Sequence, residues 1–317
     1  MRDGFLITIA WPRALAKQTD ARYNGVARAL GINRRGYYRA GHAALILVNA
    51  ADSSCHYFDF GRYHSPFGMG RVRSASTDHD LALRTKAVIR GRRILNLREL
   101  LDEVLKNPAS HAAGPMWAGY VRADFHAALA EAQRLQDEDP VIYGPFVRGG
   151  TNCTRFVRTV ALAAQMPLAH HLRMAVTPMM TPTPLNNVAA LWHHVRIPKK
   201  ENVVLEECKV RRYCPVVLLD TTLPAPVRPL TVPADAQWVA GETTGSWFHL
   251  RVEGDVFRLN RYCAEGKLEC TNMLRPDGPE SVLDEGYRII PMSHCAEVRV
   301  RVRVGDREEV LRTIDRN

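Results

Sequence analysis

Along the first sixty residues, apolar side chains come in short unbroken runs rather than at helical spacing. Phe5-Leu-Ile-Thr-Ile-Ala10 is stopped by Pro12, and Ala43-Ala-Leu-Ile-Leu-Val48 leads into a turn cluster from Asn49 to Ser54. A third run, His56-Tyr-Phe-Asp-Phe60, then ends at Gly61. Runs of this length, bounded by Gly, Pro, Asn or Ser, predict buried strands, the last two forming an antiparallel pair. The period then changes. Asn96-Leu-Arg-Glu99 reads as a capping box ahead of Leu100, Leu101, Val104 and Leu105, and Asp124 opens an Ala-rich amphipathic segment to Gln136. Phe156, Val157, Val160 and Ala164 share one face of a helix that starts almost at Cys153, is capped by Thr151 or Asn152, and is ended by Pro167.

The C-terminal part returns to strands. Trp247 to Glu253 and Val256 to Asn260 flank Gly254-Asp255, a hairpin pattern, and Val298, Val300, Val302 and Val304 alternate with Arg299, Arg301 and Arg303 as on a strand with one wet face. Prolines at 215, 224, 226, 229 and 233 exclude a helix between the two parts. The expected organisation is an α+β unit over 1–220, a Pro-rich linker over 221–235 and a small β-rich module over 236–317.

Composition places the chain among ordinary globular proteins: 317 residues, 46% hydrophobic and 24% charged. No run approaches the ~18 apolar residues of a membrane span, and the early Pro12 is unlike a signal peptide. This predicts a cytoplasmic protein, or one exported without a cleavable signal. The net charge is +10, and residues 236–317 hold 12 Lys/Arg against 14 Asp/Glu, so the whole basic excess lies in the first 235 residues. A basic surface suits anionic partners, but its arginines are dispersed rather than interleaved with aromatics, and no nucleic acid is expected.

Seven cysteines, at 55, 153, 208, 214, 263, 270 and 295, show no CxxC spacing. Neither a disulfide framework nor a zinc site is indicated, and most free thiols are buried small hydrophobes. Cys153 differs by position. A thiol in the first turn of a helix faces unpaired N–H groups and the positive end of the helix dipole, which favour the thiolate and can serve an oxyanion. Gly41-His42 at the head of the 43–48 run offers the imidazole that such a thiolate requires.

The residues Gly41-His-Ala-Ala-Leu45, Tyr57-Phe-Asp-Phe-Gly61 and Thr151-Asn-Cys-Thr-Arg-Phe-Val157 together resemble the circularly permuted branch of the NlpC/P60 superfamily, the lecithin:retinol acyltransferase-like and YiiX-like proteins. In that branch the catalytic His precedes the Cys. Asn152-Cys153 followed by Phe156-Val157 is similar to the acyltransferases' Asn-Cys-Glu-His-Phe-Val, departing at Thr154 and Arg155. The resemblance covers about residues 5–200. It implies a permuted papain-like domain with an antiparallel sheet and a nucleophile helix, Cys153 as nucleophile, His42 as general base, and no cofactor or metal. It also implies an orienting residue on the strand after the histidine. Alternation puts Cys55, Tyr57 and Asp59 on one face of that strand and His56, Phe58 and Phe60 on the other. Asp59 is preferred because Phe58 and Phe60 mark the second face as core, and His56 is the alternative.

Arg62, Arg71 and Arg73 are expected on a glycine-punctuated loop beside the cleft, where they suit a carboxylate or phosphate. Arg62, Arg71 and Asn152 are the candidate substrate-binding residues. A linear, papain-order alternative uses His193 or His194, although Trp192 and Val195 mark that segment as core. The doublets at 170–171 and 193–194 lack an HExxH pattern. The functional expectation is a cysteine hydrolase, a peptidase or amidase forming an acyl-enzyme on a peptide, peptidoglycan fragment or lipid. A lipid acylhydrolase or acyltransferase of the same fold and a non-catalytic binding module are the alternatives.

Overall fold

The computed structural model describes residues 2–198 and 225–314 except 15, 18–23, 32, 35–36, 39, 67, 111–114, 145–146, 177–182, 242–244, 278–285, 304 and 306. Cys208, Cys214, Pro215, Pro224 and Val304 of the sequence analysis lie outside the described residues.

The first sheet is built from seven antiparallel strands: β1 (Gly4–Trp11), β2 (His42–Asn49), β3 (Cys55–Gly61), β4 (Met69–Arg73), β5 (Met116–Ala123), β6 (Val141–Ile142) and β7 (Trp192–Ile197). Their spatial order is β6-β4-β3-β2-β1-β5-β7. The unbroken apolar runs have a simple cause, because helices cover both faces of the central strands. On one face, α1 (Leu97–Lys106) packs Leu97, Leu100, Leu101 and Val104 against Ile7, Ile9, Ile46 and Tyr57. On the other, α2 (Phe125–Asp137) and α3 (Cys153–Ala163) pack Ala128, Phe156, Val157 and Val160 against Leu45, Leu47, Phe58 and Phe60. Two shorter helices follow, α4 (Leu168–Ala175) and α5 (Pro184–Ala189).

Both faces of β3 are therefore core. Cys55, Tyr57 and Asp59 are buried like Phe58 and Phe60, so burial does not distinguish the Asp59 face from the one read as core. The α1 capping box also differs from expectation. The Asn96 side chain takes the Val88 N–H and donates to the Lys86 carbonyl, so it ties down the preceding loop instead of capping the helix. Asp124 and Asn152 do cap, accepting from the N–H groups of Ala127 and Arg155.

A second seven-stranded antiparallel sheet comprises β8 (Gln237–Ala240), β9 (Gly245–Glu253), β10 (Val256–Tyr262), β11 (Leu268–Pro276), β12 (Tyr287–Ile289), β13 (Glu297–Val302) and β14 (Glu308–Thr313), in the order β8-β9-β10-β11-β14-β13-β12. The Gly254-Asp255 turn joins β9 to β10, with Glu253 opposite Val256. Val298, Val300 and Val302 are fully buried while Arg299 and Arg301 stay at the surface, in ion pairs with Glu297 and Glu308. Of the Pro-rich segment, Val227 and Leu230 are exposed, whereas Val232 and Ala236 pack on Trp247.

The sheets meet through buried charge. Arg261 of β10 donates to Asp78 at 2.5 Å, to both Asp80 oxygens at 2.9 and 3.0 Å, and to Glu269 at 3.0 Å. Arg71 of β4 grips Asp78 from the other side at 2.7 and 2.9 Å. Ser246 of β9 bridges Glu269 to His64 of the first unit.

Candidate active site

Cys153 is the first residue of α3, and the local sequence explains why. Asn152 is extended and its side-chain oxygen accepts the Arg155 N–H at 2.9 Å, while Phe156 N–H closes the first turn on the Asn152 carbonyl. Gly149 has a positive φ of 74°, and at Gly150 a Cβ would meet the Gly144 carbonyl oxygen at 2.9 Å, so the chain entering the helix tolerates no side chain there. Thr151 instead bridges to Tyr143.

His42 is brought in by β2. Gly41 precedes it at φ 73°, with Trp11 and Pro12 backbone atoms 3.1 and 3.2 Å from where a Cβ would lie. The imidazole is 14% exposed, stacks on Trp11 with ring centres 5.6 Å apart, and stands edge-on to Tyr63. The Cys153 thiol lies close enough for each group to shift the other's protonation. Asp59 enters by register: Ala44 is its direct partner across β2 and β3, which makes His42 its diagonal neighbour on the same face. His42 Nε2 lies 3.4 Å from Asp59 Oδ2 and 3.4 Å from the Tyr63 hydroxyl. Both contacts are made at Nε2.

The charges follow from this geometry. Burial disfavours the imidazolium, but hydrogen bonds to Asp59 and to the Cys153 sulfur, with their negative charge, outweigh it and raise the His42 pKa to about 9. Burial likewise opposes the thiolate, yet His42, the Thr154 hydroxyl and the Ala43 N–H stabilise it, and the Cys153 pKa falls below the ordinary thiol value. Three other thiols behave in the opposite way. Burial raises Cys55 to about 11 and pushes Cys263 and Cys295 upward. Asp59, fully buried, is held well below the usual carboxylate range by Arg73 and His42 against its own desolvation.

Three of the residues singled out in the sequence thus converge: Cys153, His42 and Asp59. His56 does not join them. It lies across from Leu47 on the other face, bonded to Ser54 and packed on Phe125. Nor do the later histidines, for His193 stacks on Tyr120 and His194 bonds the Leu191 carbonyl. Trp192 beside them is 55% exposed, contrary to the core role read from the sequence. Arg71 and Arg73 sit on strand β4, not on a loop. Arg71 is 1% exposed and committed to Asp78 and the Tyr63 carbonyl, because the approach of the second sheet buries it. Arg62 lies over the Tyr143 ring at 4.9 Å. The Asn152 oxygen is taken by the helix cap.

Sequence reasoning missed Trp11, Tyr63 and the role of Arg73. The alternation Arg71-Val72-Arg73 carried a strand signal for the last. Among the described residues, Asp78, Asp80 and Cys295 bring acceptor atoms within 4.8 Å of one another, but the Arg261 guanidinium already binds both carboxylates and supplies the positive charge a cation would bring.

Comparison with known proteins adds the family. The crystal structure of the type VI secretion system effector TseH is similar at 24% identity and a TM-score of 0.36, covering 51% of this chain and 77% of that one. No curated protein matches. A family model described as the DUF6695 C-terminal domain matches residues 236–304. The model described as type VI secretion system effector TseH-like matches residues 6–168, more than half of the chain and the part that holds Cys153, His42 and Asp59. This chain belongs to the TseH-like family of type VI secretion system effectors.

Proposed function

We propose that the protein is a papain-like cysteine hydrolase that cleaves an amide or related acyl bond through an acyl-enzyme on Cys153. The observation that carries this is the meeting of Cys153, at a helix N-terminus, with a His42 ring held by Asp59 and Tyr63, the thiol acidified and the imidazole made more basic. Such a pair rests as thiolate and imidazolium. The thiolate attacks the carbonyl carbon, and the oxyanion forms beside the N–H groups of Cys153 and Thr154 at the start of α3, ahead of the Arg155 and Phe156 N–H groups that Asn152 takes. His42 then gives its proton to the leaving nitrogen or oxygen, the C–N or C–O bond breaks, and a thioester remains. Neutral His42 next takes a proton from water, whose oxygen attacks the thioester carbon. The C–S bond breaks and the ion pair returns. Asp59 fixes the ring by accepting at Nε2.

Membership in an effector family supports a target in another cell, and peptide or peptidoglycan-fragment amides are the substrates proposed first. Mass spectrometry of the protein exposed to panels of peptidoglycan fragments, lipids and ubiquitin-like conjugates tests this. The expected result is an acyl adduct on Cys153 from an amide substrate, absent in Cys153→Ala. Adducts from lipid esters alone would shift the reading to an acylhydrolase or acyltransferase, and no adduct from any panel would sink it.

A further inference from the structure

The Asp59 carboxylate has a more demanding environment than an orienting residue needs. It is fully buried, and its two oxygens receive Arg73 Nε at 2.9 Å and Arg73 Nη2 at 2.6 Å, a side-on bidentate pair. Arg73 is its direct cross-strand partner, Asp59 on β3 facing Arg73 on β4. The guanidinium is itself fully buried and lies 3.6 Å above the centre of the Tyr63 ring, so its plane is fixed independently of the carboxylate. The Tyr57 and Tyr63 hydroxyls complete the shell on Asp59 Oδ2 at 3.1 and 3.5 Å. The groups facing Asp59 are therefore His42 from β2, Tyr57 from β3, Tyr63 from the segment after β3, and Arg73 from β4, with Cys153 of α3 reached through His42.

We propose that Arg73 is the positioning residue of this site, the permanent cation that anchors Asp59 against His42 during the half of the cycle in which the imidazole is neutral. The inference rests on the cysteine-hydrolase reading. At rest, thiolate, imidazolium, Asp59 and Arg73 carry charges that cancel. In the acyl-enzyme the thioester and the imidazole are both neutral. A buried Asp59 would then be an isolated anion, which burial drives to take up a proton. A protonated Asp59 no longer accepts from His42 Nε2–H, and the ring loses the partner that lets it take a proton from water. With Arg73 in place the charges cancel in the acyl-enzyme as well, and Asp59 remains an acceptor. Deacylation, the step in which neutral His42 acts as base, is thus the step that depends on Arg73.

p-Nitrophenyl acetate separates the steps: the burst of p-nitrophenolate reports acetylation of Cys153 and the steady rate reports hydrolysis of the thioester. Arg73→Met should lower the steady rate by about tenfold more than it lowers the burst rate, with acetyl-Cys153 accumulating. Arg73→Lys should recover part of the loss. Carboxyl 13C NMR, with Asp59 assigned through Asp59→Asn, should show Asp59 titrating at higher pH in Arg73→Met than in the native protein. In an Asp59→Asn background, Arg73→Met should change the burst-to-steady ratio no further, a comparison that does not require a buried unpaired carboxylate to fold. Equal slowing of both phases, or an Asp59 titration that stays where it is, overturns the role of Arg73 alone. Absence of any Cys153-dependent burst from the native protein overturns the hydrolase reading, and this inference with it.

Discussion

Cys153 and His42 derive their chemistry from opposite shifts that each depend on the other. Two limbs in the pH dependence of turnover follow. Below the depressed Cys153 pKa the thiolate takes up a proton and attack stops; above about 9 the imidazolium loses its proton and cannot protonate the leaving group. A bell is expected, with its alkaline limb near pH 9 and its acid limb below the free-thiol value of ~8.5. A rate that rises steadily through pH 9 would contradict the assignment. Asp59→Asn keeps a group that can orient the ring but not one that stabilises the imidazolium, so turnover should drop by roughly a hundredfold with circular dichroism unchanged. His56→Ala, on the opposite face, should leave turnover near native. The meeting of Cys153, His42 and Asp59 was readable because each sits at a recognisable place: a helix start after Asn152, a strand head after Gly41, and one phase of an alternation. Arg73 was not, because its role depends on which strand pairs with β3 and in what register, and residues 61–69 hold no signal that fixes either.

At the scale of elements, the helix that begins at Cys153 depends on its cap. Asn152 supplies a side-chain acceptor for the first turn, so Asn152→Ala should cost about 1 kcal/mol of stability, read as a lowered denaturant midpoint, and should loosen the position of Cys153. Thr151→Ala, which leaves that acceptor in place, should cost less. A larger loss at Thr151 would mean the cap is misassigned. Helix existence here was legible from the period of Phe156, Val157 and Val160. The α1 capping box was misread for a definite reason: Asn96 has competing partners in the 86–88 backbone, and sequence spacing alone does not reveal them.

For the whole molecule, the charge shared between the two sheets is the least local feature and the least legible. Arg71, read as a substrate-binding candidate, is instead on one side of Asp78 with Arg261 on the other, although 183 residues separate Asp78 from Arg261. Arg261→Met would leave Asp78, Asp80 and Glu269 buried without their common cation, and a loss of about 3–5 kcal/mol in urea unfolding is expected. A change under about 1 kcal/mol would show that the carboxylates reach water or other partners. The exposed stretch holding Val227 and Leu230 should be the first site of limited proteolysis. The two fragments should still co-elute in gel filtration, held by the Arg71, Asp78 and Arg261 network, and separation of the fragments would show that the network does not hold the units together.

The central claim is that Cys153 rests as a thiolate because His42 is its charge partner. The pH dependence of iodoacetamide alkylation, resolved by peptide mass spectrometry, measures this directly. Cys153 should be labelled ahead of the other cysteines at neutral and mildly acidic pH, with a midpoint well below ~8.5. In His42→Ala that midpoint should move only part of the way back, since the helix terminus remains. A Cys153 midpoint at or above the ordinary thiol value in the native protein, or one indifferent to His42→Ala, would contradict the account.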